Sequence, residues 1–185
     1  MDIQSLLRKI KQGDKEAFQI LVRCYQQKVF QLAYSYLRNK EDAMDIVQEA
    51  FLRLHQKLDL FREEKNFQNW LLQITRNICI DYYRKSYGKR GGRYVHGTID
   101  AANIADDSDY ERTYSADLKR IISECIDKLS ERQRMVFVMK HFNHLDYKEI
   151  AQILDIALGT VKSLHFKAVQ NMKALISPKL GERYE

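Results

Sequence analysis

The sequence predicts an all-α protein built from two small helical domains joined by a flexible acidic linker. A chain of 185 residues has room for one domain or two small ones. It contains one proline and seven glycines, so it has few of the residues that interrupt helices or form the turns of β-rich folds. Apolar residues recur at helical spacing in two blocks, on either side of a segment without periodicity. We therefore expect domains at 1–94 and 117–185, with a linker at 95–116.

Three amphipathic helices are predicted in the first domain. The first begins at Asp14, and the second follows Asn39, a predicted N-cap with two acidic residues in the next turn. A charged interruption at 57–69 precedes the third apolar face, which begins at Trp70. These helices can bury one another's apolar faces, and we expect Trp70 and Phe67 to belong to the core.

The net charge of +6 is unevenly distributed along the chain. Residues 1–94 carry 18 Lys or Arg against 11 Asp or Glu, and residues 117–185 carry 12 against nine. The segment between them carries one basic residue against five acidic ones. Two basic domains suit a nucleic-acid partner, and the alternative is a solvated surface that binds none.

Several classes of protein are disfavoured by composition. The longest apolar run, 135–139, is far too short to cross a bilayer, and the N-terminus has no signal-peptide pattern, so we expect a cytoplasmic protein. Cys24, Cys79 and Cys125 are far apart and not clustered with histidines. We predict that they are buried as small apolar residues, and we expect no disulfide, metal or cofactor.

The C-terminal domain contains the pattern of a helix-turn-helix. Asp146 precedes Glu149 by the spacing of a capping box, and Asp155 stands in the turn, where Asp tolerates a left-handed backbone. A second helix follows from about Leu158. Its predicted buried face consists of Val161, Leu164, Ala168, Met172 and Leu175. Its predicted outer face consists of Thr160, Lys162, Ser163, Phe166, Lys167 and Gln170.

This outer face has the chemistry for DNA, although an ordinary helical hairpin is the alternative. Its two lysines can contact phosphates, and Ser163 or Thr160 can bond a base edge. No arginine is present for the bidentate reading of guanine.

Three stretches together resemble a known family. "DAMDIVQEAFLRLHQKL", "NFQNWLLQITRNICIDYYRK" and "EIAQILDIALGTVKS" are similar to sigma factors of the small extracytoplasmic-function (ECF) type, the promoter-specificity subunits of bacterial RNA polymerase. The resemblance covers about Gly13 to Leu175. It implies two helical modules without catalytic activity, region 2 and region 4, which bind core polymerase, recognise and melt promoter DNA, and direct transcription initiation.

The resemblance also implies three sets of contact residues. Residues implied to bind core polymerase, at the β′ clamp helices, are Asp45, Gln48, Glu49 and Leu52. Residues implied to bind the −10 element as a melted single strand are Phe61, Arg62, Lys65, Asn66, Asn69, Arg76, Asn77, Arg84 and Lys85. Residues implied to bind the −35 duplex are Thr160, Lys162, Ser163, Phe166 and Lys167, in the module that the family docks on the β flap. Considered alone, Asp45 and Glu49 are better interpreted as a solvated pair at i and i+4.

The chain departs from the family in the second helix of the helix-turn-helix. Where "GTVKSRLHRA" would be ordinary, this chain has "GTVKSLHFKA". Leu164 replaces the arginine, His165 replaces the core leucine, and Phe166 replaces a polar contact residue. We therefore expect weaker −35 readout, with help from a recruiting protein, and an anti-sigma factor is a further partner of the kind the family has.

Two other classes of function compete with this interpretation. A stand-alone helix-turn-helix regulator would bind duplex DNA tightly without polymerase. An enzyme that uses the motif for DNA targeting, such as a recombinase, ranks last, because no nucleophile with an arginine cluster, metal-ligand cluster or Gly-rich phosphate loop is apparent.

Overall fold

The computed structural model describes residues 2–62, 66–87 and 116–181. The chain divides into two compact units, Met1–Tyr94 and Val95–Glu185. All regular secondary structure in the described ranges is helical, so the predicted all-α fold class is confirmed. Nearly all of the predicted linker lies outside these ranges, and Ala116 at its end begins a helix.

The described part of the first unit contains four α-helices. They are α1 (Ile3–Lys11), α2 (Lys15–Leu37), α3 (Lys40–Lys57) and α4 (Phe67–Tyr87), with a 3₁₀ turn at Leu58–Leu60. Both predicted N-caps are confirmed. The Asp14 side chain accepts a hydrogen bond from the Ala17 amide, and the Asn39 side chain accepts from the amides of the first turn of α3. These bonds satisfy amides that have no partner inside the helix.

Helix α1 was not predicted, because its apolar face is short and is interrupted in the sequence by charged residues. Leu6, Leu7 and Ile10 are buried, and Asp2 caps the helix by accepting a hydrogen bond from the Gln4 amide. The spacing of these three apolar residues is helical, but the helix contains only nine residues. Packing against the rest of the unit therefore decides that this segment is a helix.

Helices α2, α3 and α4 pack against one another and form the core of the first unit. The largest side chains with almost no exposure include one group of leucines shared among the three helices: Leu21, Leu32, Leu54, Leu71 and Leu72. Hydrogen bonds add specific ties at the edges of this core. Tyr82 Oη donates to Asp42 Oδ1 at 2.6 Å, and Lys28 Nζ donates to Gln68 Oε1 at 2.7 Å.

The cysteines follow the prediction in two cases of three. Cys79 and Cys125 are buried, and burial raises the pKa of the Cys79 thiol to about 12. Cys24 is exposed on α2, so its predicted burial is wrong. Its side chain lies on the side of α2 that faces solvent.

The described part of the second unit also contains four α-helices. They are α5 (Ala116–Lys128), α6 (Glu131–His141), α7 (Tyr147–Leu154) and α8 (Leu158–Gly181). Helix α8 packs against the other three. The core between them holds the buried side chains of Ile126, Met139, Leu145, Ile150, Ile153, Val161 and Ala168.

Helices α7 and α8 form the predicted helix-turn-helix, with the predicted local devices. The Asp146 side chain accepts from the Glu149 amide at 2.8 Å, and the Asp146 amide donates to Glu149 Oε2 at 2.8 Å. This reciprocal pair is a capping box. Asp155 ends α7 in the left-handed conformation with φ of 55°, which the turn needs and Asp tolerates.

Candidate nucleic-acid and protein-binding surfaces

One exposed face of α3 contains the four residues predicted to bind core polymerase. Asp45, Gln48, Glu49 and Leu52 are spaced at i, i+3, i+4 and i+7, which aligns them on one side of the helix. Three of them are exposed, whereas Glu49 is half-buried. Glu49 Oε1 accepts a hydrogen bond from Arg53 Nε at 2.6 Å, so its carboxylate is already oriented by a cation on the same helix.

The same face has an apolar component that sequence reasoning missed in part. The Met44 side chain is 49% exposed and the Leu52 side chain 54%, although both are large and apolar. Gln48 lies midway between them, so the three form one stripe at intervals of four residues. The sequence did contain a signal for this component. Met44 is apolar but does not share the helical face of the buried residues Ile46 and Ala50. Exposed apolar side chains flanked by a carboxylate and an amide are suited to a protein partner.

Two residues predicted to contact −10 DNA lie in the core instead. Phe61 is only 4% exposed, and its ring centroid lies 5.5 Å from that of Phe67 and 5.0 Å from that of Trp70. Asn69 is buried in the first turn of α4. Both side chains are buried in this structure, so neither presents a surface to a base here, and their contact with −10 DNA stays a prediction. The physical reason for the burial of Phe61 is that its ring packs with the rings of Phe67 and Trp70 in one aromatic cluster.

The aromatic cluster confirms the expectation for Phe67, which is buried. Trp70 is half-buried beside it, with ring centroids 6.1 Å apart. Tyr25 on α2 meets the other edge of Phe67, with ring centroids 5.2 Å apart. The cluster therefore joins α2, the segment after α3 and the start of α4, and it fixes where the intervening loop leaves the helices.

The other predicted −10 residues are divided between the loop and the outer side of α4. Arg62, Asn66, Asn77, Arg84 and Lys85 are exposed, and Arg76 is half-buried. Asn66 Oδ1 accepts a hydrogen bond from the Asn69 amide at 3.1 Å, so Asn66 also caps α4. Lys65, which the resemblance also implied to bind −10 DNA, lies outside the described residues.

On α8, all residues of the predicted outer face are exposed. They are Thr160, Lys162, Ser163, Phe166, Lys167 and Gln170. On the opposite side Val161, Ala168 and Met172 are buried, whereas Leu164 and Leu175 are half-buried. Leu164 therefore turns partly inward, and the outer face is left with two cations, two hydroxyls, one amide and one aromatic ring.

Phe166 is the largest apolar group on this face. Its side chain is 64% exposed, between cationic and polar neighbours on a helix with no arginine. A phenyl ring exposed to this extent gives up much of the hydrophobic stabilisation that full burial would supply, which is about 1.5–3 kcal/mol. No contact with another described residue accounts for this exposed position, and this marks Phe166 as a candidate contact residue.

His165, next to Phe166, takes part in a cluster that the sequence did not predict. Its Nε2 lies 2.9 Å from His141 Nε2 at the end of α6, and its Nδ1 lies 3.0 Å from Tyr147 Oη at the start of α7. The replacement of a core leucine by His165 was a signal that a polar group occupies this position. The partners could not be inferred, because they lie 24 and 18 residues away.

Comparison with known proteins gives both units the same family. The model of "Sigma-70 region 2" matches residues 21–88, and the model of "Sigma-70, region 4" matches residues 119–172. The ECF RNA polymerase sigma factor SigW of Bacillus subtilis is 34% identical over 172 residues, which cover 88% of this chain and 90% of that protein. The ECF RNA polymerase sigma-E factor of Escherichia coli K12 is 33% identical over 182 residues, which cover 95% and 94%.

Solved structures agree on the fold. The sigma factor RpoE of Bartonella quintana, solved with the anti-sigma factor NepR, aligns with a TM-score of 0.71 at 23% identity, covering 86% of this chain and 96% of its own. CnrH, solved with the cytosolic domain of CnrY, aligns with a TM-score of 0.63 at 22% identity, covering 94% and 96%. The fold of the two units therefore has counterparts in both of these solved chains.

The chain belongs to the sigma-70 family, in the group of ECF RNA polymerase sigma factors. It is a promoter-specificity factor for transcription initiation. A stand-alone regulator is not favoured, because the first unit matches region 2 and not a sensor or dimerisation module. None of the helices in the described ranges is long and apolar enough to span a membrane.

Proposed function

We propose that the α3 face docks the chain on core RNA polymerase and that α4 and α8 bind two separate promoter elements. The single observation that carries this proposal is the outer face of α8, where every predicted DNA-facing side chain is exposed on a helix-turn-helix of region 4 type. The factor itself performs no catalysis in this scheme. It acts in the cytoplasm, where polymerase and the chromosome are found.

The proposed core-binding surface is the stripe of Met44, Gln48 and Leu52, with Asp45 beside it. Burial of the two apolar side chains supplies affinity, and the carboxylate supplies orientation toward a cationic partner such as the β′ clamp helices. The Arg53–Glu49 pair borders the stripe and is exposed enough that it adds little binding energy by itself.

In the proposed −10 contact, polar and basic groups hold the backbone of a melted strand. Asn77, Arg84 and Lys85 follow one exposed side of α4, and Arg62 and Asn66 lie on the loop that precedes it. Cations and amides of this kind track phosphates and bond unstacked bases. Phe61 and Asn69 support the loop from below in this scheme, because both are buried.

In the proposed −35 contact, some side chains of α8 position the helix on the DNA backbone and others recognise the base sequence. Lys162 and Lys167 contact phosphates, and Thr160 and Ser163 bond base edges. Phe166 places its ring against the 5-methyl group of a thymine, the apolar feature of the major groove. The absence of arginine on α8 leaves guanine without a bidentate partner. We infer that −10 readout or a recruiting protein supplies the remaining specificity.

The Phe166 contact can be tested by removing single methyl groups from the DNA. Replacing each −35 thymine by deoxyuridine in turn should weaken binding at one position by about 0.8 kcal/mol, roughly fourfold. Phe166→Ala should bind the thymine and deoxyuridine duplexes equally at that position. Gln170→Ala, one turn further along the same face, is the matched control and should keep the methyl dependence. A methyl dependence that survives in Phe166→Ala would refute the contact.

The proposed function as a whole is tested with core polymerase. The purified chain should co-elute with core enzyme in size-exclusion chromatography, and together they should transcribe from a limited set of start sites on genomic DNA. A chain that does not co-elute with core, or that binds duplex DNA as tightly and specifically without it, would refute the proposal. An anti-sigma factor, the kind of partner solved with RpoE of Bartonella quintana, would compete with core in the same assay.

A further inference from the structure

The histidine cluster joins α8, the recognition helix of the helix-turn-helix, to two of the three helices that it packs against. His165 lies at the middle of α8, His141 at the last residue of α6 and Tyr147 at the first residue of α7. The two imidazole centroids are 5.1 Å apart while their Nε2 atoms are 2.9 Å apart, so the rings meet head to head. His165 thus connects the three helices through hydrogen bonds, whereas a leucine at this position would connect them only through apolar packing.

The hydrogen bonds in this cluster depend on how many protons it holds. Two facing Nε2 atoms at 2.9 Å need one hydrogen between them, so one ring donates and the other accepts. With Tyr147 Oη donating to His165 Nδ1, His165 Nε2 donates to His141 Nε2, and both rings are neutral. One added proton leaves this bond intact. A second makes both Nε2 atoms donors, and the rings must then separate.

The surroundings of the pair favour the neutral state. Burial is the main cause that lowers the pKa of His141, and His165, Lys140 and His144 lower it further by charge. Burial also lowers the pKa of His165, with Lys140 as the second cause. The Lys140 ammonium lies over the Tyr147 ring, 5.0 Å from its centroid, and donates a hydrogen bond to the Leu145 carbonyl.

The carboxylates that begin α7 are engaged in hydrogen bonds there, and no carboxylate of the described residues is among the groups whose charge shifts the pKa of either histidine. Asp146 and Glu149 bond each other's backbone amides in the capping box of α7. Phe137 covers the other side of His141, with ring centroids 4.4 Å apart. Protonation of the pair therefore adds positive charge beside Lys140 with little compensation.

We propose that His141, Tyr147 and His165 form a proton-sensitive latch that holds the recognition helix in its DNA-reading position and releases it when both histidines are protonated. The latch regulates −35 binding and so rests on the proposed function. The pH dependence of its stability follows from the direction in which the two histidine pKa values are shifted. Since the folded state lowers the histidine pKa values, the unfolded chain binds more protons below pH about 6.5. The latch is therefore complete above that pH and weakens as pH falls.

DNA specificity, and not affinity alone, is the measurement that isolates the latch. Protonation adds positive charge near DNA, which strengthens binding to any duplex. The ratio of affinities for a −35 duplex and a scrambled duplex cancels this effect. Since one pKa unit corresponds to a tenfold change in equilibrium, we expect the wild-type ratio to fall by roughly three- to tenfold between about pH 7.5 and 5.5.

Three variants of the full chain provide the comparison. His165→Leu restores packing without a titrating group and should keep the same ratio at both pH values. His141→Gln, which leaves α8 unchanged, should also flatten the dependence if His165→Leu folds poorly. His144→Asn is the matched control, because it removes a nearby imidazole while Asn accepts the left-handed backbone at that position, where φ is 56°. It should retain most of the wild-type fall, because His144 is the smallest of the causes that lower the pKa of His141.

An NMR titration of the histidine side chains in the full chain separates the latch from the proposed function. His141 should titrate below its ordinary pKa in the wild type and move back toward it in His165→Leu. A His141 pKa that is ordinary, or a wild-type ratio that is constant while the histidines titrate, would overturn the latch. If no duplex is preferred at any pH, the −35 assignment fails, and the response of His141 to His165→Leu alone decides whether the coupled pair exists.

Discussion

The two surfaces that we propose to bind promoter DNA differ in how completely their residues are separated from the core. On α8, the core side and the outer side of one long helix alternate regularly, and every predicted contact residue on the outer side is exposed. On the loop and the first turn of α4, Phe61 and Asn69 are buried while their neighbours Arg62 and Asn66 are exposed. A helix thus assigns its faces by geometry, whereas a loop assigns each residue by local packing.

The largest effect that tests this contrast is on stability. Phe67→Ala should lower the free energy of unfolding by about 3–5 kcal/mol, because it empties the centre of the aromatic cluster. Phe166→Ala should change it by less than about 0.5 kcal/mol, because the ring is mostly exposed. Urea denaturation followed by circular dichroism measures both variants. Trp70 is the only tryptophan, so its fluorescence reports the first unit separately. Equal losses in the two variants would contradict the assignment of Phe166 to the surface.

The next effect concerns the α3 face. Leu52→Asp should weaken binding to core polymerase by about 2 kcal/mol, roughly 30-fold, because it puts a charge in the apolar part of the stripe. The matched control is Leu60→Asp, which changes a leucine that is 73% exposed outside the stripe. Fluorescence anisotropy of the labelled chain against core enzyme gives both affinities. Equal weakening by the two variants would mean that the stripe is not the docking surface.

The smallest effect concerns the phosphate contacts of α8. Lys167→Gln should weaken binding to all duplexes alike and should reduce the slope of log affinity against log salt by about 0.9. Lys173→Gln, further along the same helix and outside the predicted face, should leave the slope unchanged. A change in preference among −35 sequences in Lys167→Gln would show instead that this lysine reads bases.

Much of the fold could be predicted because it depends on local chemistry. Asp14, Asn39 and the Asp146–Glu149 box act within a single helical turn, and all behave as predicted. The prediction failed where tertiary packing decides. Helix α1 is too short to stand out by periodicity, and Cys24 has a residue type that is usually buried but a position on the solvent side of α2.

The candidate sites follow the same division. The outer face of α8 could be listed residue by residue, since a 3.6-residue repeat continues through the helix. The burial of Phe61 depends on Phe67 and Trp70 meeting it across a loop, which no repeat encodes. The meeting of His141 and His165 depends on how α6 crosses α8. A single sequence without a structure offers no measure of that crossing.

The central claim is that this chain melts promoter DNA only together with core polymerase, and permanganate footprinting tests it most directly. The template would be a promoter whose start site has been mapped in cells that express the chain. Thymines of the −10 region should become reactive when chain and core are both present, and stay protected with either alone or with Leu52→Asp at limiting concentration. Specific duplex binding by the chain alone, with no reactive thymines when core is added, would contradict the account.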